Sequence, residues 1–187
     1  MKILVTCPPM LGMIDEFQQL FRMYQFEVTA PKILQVASER EIRQLLPLHD
    51  GWIVGDDIAS DEILRIGKHG KLKALVKWGI GVDNIDIQAC ERLGIPFVNT
   101  PNVFGAEVAD LALGYLIALA RETHAIDRSV REGGWYKPAG TSLGGKSVAI
   151  IGMGDIGKSL SKRLLACEMR VIGYDPNVTD VPGVDIV

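Results

Sequence analysis

The stretch 148–157 reads VAIIGMGDIG, an apolar β-rich run that leads directly into a glycine-rich turn. Its glycines, Gly152, Gly154 and Gly157, match the pattern G-x-G-x-x-G, which is weak by itself in a chain with 20 glycines. The context strengthens it, because a strand pattern precedes the turn and a helical pattern, 156–166, follows it. This order of strand, glycine turn and helix is typical of the first unit of a dinucleotide-binding domain.

A second β-rich run supports the same interpretation. Residues 169–174 follow the helix and end in Asp175, which lies 18 positions after Gly157. An acidic residue about 20 positions after the last glycine is expected to accept hydrogen bonds from the ribose hydroxyls. Its charge would repel a 2′-phosphate, so Asp175 predicts NAD as the cofactor rather than NADP. The alternative interpretation is a strand–helix–strand turn that binds no ligand.

The residues of the turn suit this role for physical reasons. Gly152 permits the tight turn, Gly154 lets the backbone approach a diphosphate, and Gly157 lets helix and strand pack closely. We expect the amides of Asp155 and Ile156, at a helix N-terminus, to point at the anion, with the helix dipole adding to the attraction. The negative side chain of Asp155 is expected to turn away from it.

Short β-rich runs alternate with amphipathic helical stretches through the first half of the chain. This alternation predicts a parallel sheet with helices on both faces. The predicted strands are 2–6, 26–28, 52–54, 72–77 and 96–99. The predicted helices are 14–24, 38–46 with a capping box, 61–68 and 86–93.

A long apolar stretch separates these elements from the glycine turn. Thr100-Pro101-Asn102 ends the first set of elements, and the stretch 106–121 then predicts a helix that is apolar nearly all round. Such a helix is expected to be buried between two domains or two subunits. A second helix is predicted over 125–131, and the glycine-containing loop 133–145 is the predicted domain boundary.

The composition bounds the class of protein. With 187 residues, 48% hydrophobic and a net charge of −3, the chain fits one or two domains and is not disordered. A balance of 20 Lys+Arg against 23 Asp+Glu gives no basic stripe for nucleic acid. The apolar run 111–120 is about half of a membrane span, and the N-terminus lacks a secretory pattern. We therefore expect neither nucleic acid nor a membrane as a partner.

Cysteines and histidines are too scattered to suggest a metal site. The three cysteines lie far apart, without a C-x-x-C pair, which fits a reducing cytoplasm and argues against zinc. We expect all three histidines on the surface: His49, His69 and His124. No metal is therefore predicted.

Six further segments share a pattern with one known family. They are KWGIGVDNID at 77–86, GIPFVNTP at 94–101, EVAD at 107–110, REGGW at 131–135, LGGK at 143–146 and YDP at 174–176. Together with the glycine turn they resemble the D-isomer-specific 2-hydroxyacid dehydrogenases of the phosphoglycerate dehydrogenase type. The resemblance runs from about Gly51 onward, and Asp110 stands where the family usually has Glu.

The resemblance implies a two-lobed α/β dehydrogenase. A flavodoxin-like parallel-sheet substrate lobe would cover 1–100. Hinge and dimerisation helices and the start of a Rossmann NAD-binding lobe, truncated here, would cover 101–187. The site would lie in the cleft between the lobes, and the helix 106–121 would pair two subunits in a homodimer.

The resemblance also implies roles for particular residues. Backbone groups of Gly79, Ile80 and Gly81 would hold the substrate carboxylate, as closely approaching amides can do for an anion. Lys77 would add positive charge there, or would be a solvated lysine at a strand end, which is our expectation. Val108, which would otherwise be assigned to the core, would lie against the nicotinamide.

The adenosine side of the cofactor would be bound further along the chain. The segment Tyr174, Asp175 and Pro176 resembles the family's adenosine-binding turn. In the family, the catalytic Arg, Glu and His lie downstream of the ribose-binding acid, and this chain has twelve residues after Asp175. Hydride transfer to or from an alcohol needs a proton carrier and a cation near the carbonyl. We therefore assign no catalytic residue, and we expect only two strands of the nucleotide-binding lobe.

Three functional hypotheses follow. The first is an NAD-dependent oxidoreductase that acts on the CH–OH group of a small D-2-hydroxy acid, with 3-phosphoglycerate as the first candidate, present here without its catalytic residues. The second is a non-enzymatic, corepressor-like module that binds NAD and dimerises. The third is an inactive folded fragment.

Overall fold

The computed structural model describes residues 1–187 and divides into two compact units, Met1–Pro101 and Asn102–Val187. The division falls at the Thr100-Pro101-Asn102 segment, next to the boundary between 1–100 and 101–187 that the resemblance implies, and not in the glycine-containing loop 133–145. None of the helices combines the length and the apolar character needed to cross a bilayer.

The first unit is a five-stranded sheet with helices around it. Its strands are β1 (Lys2–Val5), β2 (Glu27–Thr29), β3 (Gly51–Val54), β4 (Ala74–Lys77) and β5 (Phe97–Val98). Its helices are α1 (Pro8–Gly12), α2 (Ile14–Met23), α3 (Glu39–Leu45), α4 (Asp61–His69) and α5 (Ile87–Leu93). The strand order is β2-β1-β3-β4-β5, and every pair is parallel. This is the flavodoxin-like order, so the predicted α/β fold is confirmed.

Alternating side chains cover the two faces of this sheet. Leu4 packs into a cluster with Trp52 and Leu75 on one face, whereas Val5 packs with Phe21 on the other. Since successive residues of a strand point to opposite faces, one short apolar strand supplies both cores.

Local signals set the helix ends. The predicted capping box forms, because Glu41 N–H donates to Ser38 Oγ at 3.3 Å and Ser38 N–H donates to Glu41 Oε2 at 2.9 Å. Helix α5 begins after Asp86, whose side chain accepts from Ala89 N–H, and it ends at Gly94 with φ 61°. No helix was predicted over Pro8–Gly12, but one forms there, because proline is tolerated in the first turn of a helix.

A buried polar network joins the central strands below the carboxyl edge of the sheet. Asp57 is fully buried, and its carboxylate accepts hydrogen bonds from the Thr6 hydroxyl and from Ala37 N–H. The Thr6 hydroxyl in turn accepts from Trp52 Nε1 at 2.8 Å. The Asn84 amide donates to the carbonyl of Asp57 at 2.6 Å. The network therefore connects four separate segments of the unit.

One histidine is also buried, so the prediction of three surface histidines is wrong for His49. Its side chain lies between two polar groups: Nδ1 is 2.7 Å from the Leu45 carbonyl and Nε2 is 2.6 Å from Thr29 Oγ1. Because both ring nitrogens have a partner, burial leaves no polar atom of the ring unpaired.

The second unit has a three-stranded parallel sheet. Its elements are α6 (Gly105–Arg121), α7 (Thr123–Arg131), β6 (Ser147–Ile151), α8 (Asp155–Ala166), β7 (Arg170–Tyr174) and β8 (Val184–Ile186). The order β6-β7-β8 matches one mononucleotide-binding half of a Rossmann sheet. The expectation of two strands is wrong, since the short alternating segment of β8 pairs with β7.

Helix α6 has one packed face and one exposed face. Leu113 and Leu116 contact the core cluster of the second unit, which contains Leu164 of α8. Leu111 and Leu119, on another face, are 54% and 69% exposed. In this chain the helix is therefore only half covered, whereas the sequence predicted burial nearly all round.

Candidate functional site

The glycine turn is attached to the end of β7. Gly152 N–H donates to the Tyr174 carbonyl at 2.8 Å, and Gly152 has φ 93°, a conformation that suits glycine. The side chain of Met153 is fully buried, next to Gly173, where a Cβ would lie 2.9 Å from Met153 Sδ. The hydrogen bond to the Tyr174 carbonyl and the packing of the Met153 side chain against Gly173 thus set the path of the turn.

The other two glycines have contrasting surroundings. A Cβ on Gly157 would overlap the Gly152 carbonyl oxygen, so helix α8 can begin this close to β6 only with glycine there. A Cβ on Gly154 would meet nothing within 4 Å. Gly154 therefore lies on an open side of the turn, and the space there is what a bound diphosphate needs.

Unpaired backbone donors face this turn. The N–H groups of Gly154, Asp155 and Ile156 have no acceptor in the protein, as expected at the start of a helix. Three such donors at the positive end of the α8 dipole form an arrangement that binds anions. The residues present therefore fit the diphosphate of a dinucleotide.

The side chain of Asp155 lies against α6. A Cβ on Gly105 would lie 2.5 Å from both carboxylate oxygens of Asp155, and Asp155 Oδ2 is buried without a hydrogen-bond partner. The first turn of α6 therefore needs glycine at this position to accommodate the carboxylate.

Asp175 contacts the turn directly. Its Oδ2 accepts from Met153 N–H and its Oδ1 accepts from Asn177 N–H, each at 2.8 Å. The Asn177 and Met153 amides lower the pKa of Asp175 below the usual value for aspartate. The carboxylate is ionised above that lowered pKa, and it has further lone pairs for other donors.

The remaining predicted cofactor residues lie in the same unit. Tyr174 is half-exposed at the end of β7, and Pro176 is exposed in the loop that follows. Val108 is 40% exposed in the first turns of α6, so its assignment to the core, the alternative to cofactor contact, is wrong. These positions leave all three side chains accessible.

The predicted anion loop, 79–81, follows β4 at the carboxyl edge of the five-stranded sheet. Gly79 N–H donates to Thr100 Oγ1 at 2.9 Å, and Thr100 N–H donates back to the Gly79 carbonyl at 3.1 Å. The side chain of Asn99 donates to the Ile80 carbonyl at 2.9 Å. The amides of Ile80 and Gly81 have no acceptor in the protein. Of the three predicted residues, Gly79 already has its amide in use, and the other two present theirs.

Lys77 lies beneath this loop. Its side chain is buried, and Nζ donates to the Gly55 carbonyl at 2.5 Å and to Asp56 Oδ1 at 3.1 Å. The expectation of a solvated lysine is therefore wrong. A Cβ on Gly79 would lie 3.2 Å from Lys77 Cε, which places the lysine chain directly against the loop.

The hydroxyl of Thr100, which the sequence did not mark as functional, accepts the hydrogen bond from the Gly79 amide. In Thr100→Val, Gly79 N–H loses its acceptor, so we expect faster hydrogen exchange and shifted resonances for the Gly79, Ile80 and Gly81 amides, with a stability loss of about 1 kcal/mol. NMR of the labelled protein measures the exchange rates and the shifts, and urea unfolding measures the stability loss. Thr100→Ser keeps the hydroxyl and is expected to behave as the wild type; equal spectra for the valine variant would contradict the role of the hydroxyl.

Asn99 and Met153 were missed as well. Both act through hydrogen bonds to residues distant in sequence, and no periodic pattern marks such contacts. The segment GIPFVNTP drew attention to 94–101, and it contains both Asn99 and Thr100, but it gave no partner for their side chains.

The fold and the glycine turn by themselves define the class of protein. A glycine turn between a parallel strand and a helix, with an acid after the next strand, is the first half of a dinucleotide-binding α/β domain.

Comparison with known proteins then gives the family. Residues 113–185 match the model of the D-isomer specific 2-hydroxyacid dehydrogenase NAD-binding domain. The chain is 36% identical to the hydroxypyruvate reductase of Thermotoga maritima over 170 residues, which are 88% of this chain and 54% of that protein. It thus spans about half the length of that relative. The chain belongs to the D-isomer-specific 2-hydroxyacid dehydrogenase family.

Solved structures agree with this assignment. A Thermus thermophilus protein matches with a TM-score of 0.85 and 28% identity, covering all of this chain and 60% of the other. The NAD+-bound 3-phosphoglycerate dehydrogenase of Entamoeba histolytica matches with a TM-score of 0.80 and 27% identity, covering all of this chain and 57% of the other. The cofactor of the matched domain is NAD.

Proposed function

We propose that this chain carries the substrate lobe and part of the NAD-binding lobe of an oxidoreductase acting on the CH–OH group of a small D-2-hydroxy acid. The first lobe would be 1–100, and 101–187 would contain the hinge helices and the first NAD-binding strands. One arrangement carries the proposal. Three amides at the start of α8 have no acceptor in the protein, and the Asp175 carboxylate, which follows β7, is hydrogen-bonded to the same glycine turn.

The residues present suggest how NAD would be held. The amides of Gly154, Asp155 and Ile156 would donate to the diphosphate, and Asp175 would accept from the ribose hydroxyls. Tyr174 and Pro176 would border the adenosine, and Val108 the nicotinamide. NAD, when bound, would accept or supply the hydride.

A second anion site would hold the substrate. The unpaired amides of Ile80 and Gly81 would donate to its carboxylate, while Gly79 supports the loop through Thr100. The ammonium of Lys77, which is paired with the Asp56 carboxylate, lies buried against this loop. A 2-hydroxy or 2-oxo acid offers the required carboxylate, and 3-phosphoglycerate and hydroxypyruvate are the first candidates to assay.

Two measurements test this function. Titration with NADH, followed by nicotinamide fluorescence, is expected to give saturable binding, and oxidation of NADH with hydroxypyruvate or 3-phosphohydroxypyruvate tests turnover. Binding without turnover favours the second candidate, a corepressor-like module that binds NAD and dimerises. Absence of binding up to millimolar NADH contradicts both candidates and leaves an inactive folded chain.

Cofactor preference gives a sharper prediction. Asp175→Ala removes the charge that would repel a 2′-phosphate, so the preference for NADH over NADPH is expected to fall by about tenfold, equivalent to about 1.4 kcal/mol. Fluorescence titrations with the two cofactors measure it. An unchanged preference would show that the ribose is bound elsewhere.

The exposed face of α6 supports the proposal of a homodimer. Leu111, Tyr115 and Leu119 are spaced by four residues, form one stripe, and are each at least 54% exposed. Such a stripe buries apolar area when a second copy covers it. We expect a dimer by sedimentation, a monomer for Leu111→Lys, and no change for Leu20→Lys, the same substitution at a half-exposed leucine of α2. A monomeric wild type would contradict the proposal.

The cytoplasmic location remains an expectation. Its support is that Cys7, Cys90 and Cys167 are all free.

A further inference from the structure

Asp175 makes a contact that ribose recognition does not require. Its Oδ2 accepts from the backbone N–H of Met153, the middle residue between Gly152 and Gly154. Its Oδ1 accepts from Asn177 N–H, which orients the carboxylate from the other side. Hydrogen bonds within the protein therefore hold the Asp175 carboxylate between its own loop and the glycine turn.

This hydrogen bond acts on the segment that carries the anion-binding amides. Gly152 N–H is paired with the Tyr174 carbonyl, and Met153 N–H with Asp175, so both residues before Gly154 are attached to the end of β7. The next three N–H groups, those of Gly154, Asp155 and Ile156, are unpaired. Without the carboxylate, Met153 N–H would lose its acceptor, and the turn would keep only the bond from Gly152 and the packing of the Met153 side chain.

We propose that Asp175 is a positioning residue for the diphosphate site: its carboxylate holds the glycine turn in the shape that presents the Gly154, Asp155 and Ile156 amides. This inference rests on the proposed NAD site and adds to it a second action of the same residue. The two actions are compatible, because a carboxylate has about four lone-pair positions and these two amides use one on each oxygen.

The two actions can be separated with a ligand that lacks the ribose hydroxyls. ADP has the 2′ and 3′ hydroxyls, whereas 2′,3′-dideoxy-ADP has the same adenine and diphosphate without them. If Asp175 only recognises ribose, Asp175→Ala weakens ADP and leaves dideoxy-ADP unchanged. If it also positions the turn, the variant weakens dideoxy-ADP as well.

The loss of the Asp175 charge cannot by itself produce the expected loss of affinity. Removing a carboxylate near a diphosphate reduces repulsion, so charge alone predicts tighter binding of dideoxy-ADP by Asp175→Ala. A loss of affinity must then come from the turn. Asp180→Ala, which removes one exposed carboxylate from the loop between β7 and β8, is the matched control and is expected to change affinity less than about twofold.

Calorimetric titration of the full chain tests the inference. We expect Asp175→Ala to bind dideoxy-ADP about fivefold more weakly than the wild type does, the effect of losing one hydrogen bond. Dideoxy-ADP affinity equal to or above that of the wild type, with only the discrimination between ADP and dideoxy-ADP lost, would overturn it. A wild type that binds neither nucleotide would instead contradict the proposed function.

A second variant keeps the test valid if the alanine variant unfolds. Asp175→Asn retains the side-chain volume and one acceptor oxygen, and the NMR shift of the Met153 amide reports whether that oxygen still accepts its proton. Dideoxy-ADP affinity is expected to follow that shift: within twofold of the wild type if the bond is kept, and about fivefold weaker if it is lost. A dideoxy-ADP affinity that does not depend on whether the Met153 amide keeps its hydrogen bond would refute the positioning role.

Discussion

Replacement of Gly157 by alanine is expected to destabilise the second unit by about 2 kcal/mol. The new Cβ would overlap the Gly152 carbonyl oxygen, and a backbone atom cannot rotate out of the way as a side chain can. Overpacking of this kind costs up to about 3 kcal/mol, and the better helix propensity of alanine offsets about 1 kcal/mol. Hydrogen exchange of the β6 and β7 amides, which lie in this unit, measures the change.

Gly154 provides the matched control for this prediction. A Cβ there meets nothing within 4 Å, and the residue has φ −72°, so Gly154→Ala is expected to leave stability within about 0.5 kcal/mol of the wild type. It is expected to weaken ADP about tenfold, because the methyl group would occupy the approach to the free amides. One glycine would then serve packing and the other binding. Equal stability of the Gly157 and Gly154 variants would contradict this division.

Removal of the Asp57 carboxylate is expected to destabilise the first unit by about 3 kcal/mol. In Asp57→Ala, the buried Ala37 N–H and the Thr6 hydroxyl lose their acceptor, and each unsatisfied buried group costs about 1–3 kcal/mol. The cavity left by the missing carboxyl group adds to the loss. Urea unfolding measures the change in the free energy of unfolding, and hydrogen exchange of the β1 and β3 amides shows that it lies in the first unit.

The conservative variant and a control separate the causes. Asp57→Asn keeps the shape and one acceptor, so about half of the loss is expected. Asp83→Ala removes an exposed carboxylate of the same unit and is expected to change stability by less than about 0.5 kcal/mol. A loss below about 1 kcal/mol in Asp57→Ala would show that other groups take over the role of the carboxylate.

Much of the fold could be predicted because its signals are local. The capping box at Ser38, the N-cap at Asp86 and the glycine stop at Gly94 each depend on residues within four positions, and all three form. The alternation of strands and helices also predicted parallel sheets, and both sheets are parallel. The short strand Val184–Ile186 was missed, although its apolar–polar–apolar order is the same as that of the predicted strand 26–28.

The sequence alone determined the type of fold, the family and the position of the glycine turn, because these depend on the order of residue types along the chain. Only the tertiary structure decided that Lys77 and His49 are buried, that Thr100 occupies the Gly79 amide, and that Asp175 holds Met153. The physical reason is that these contacts join segments more than 18 positions apart, so each depends on how the strands pair and not on a neighbouring residue.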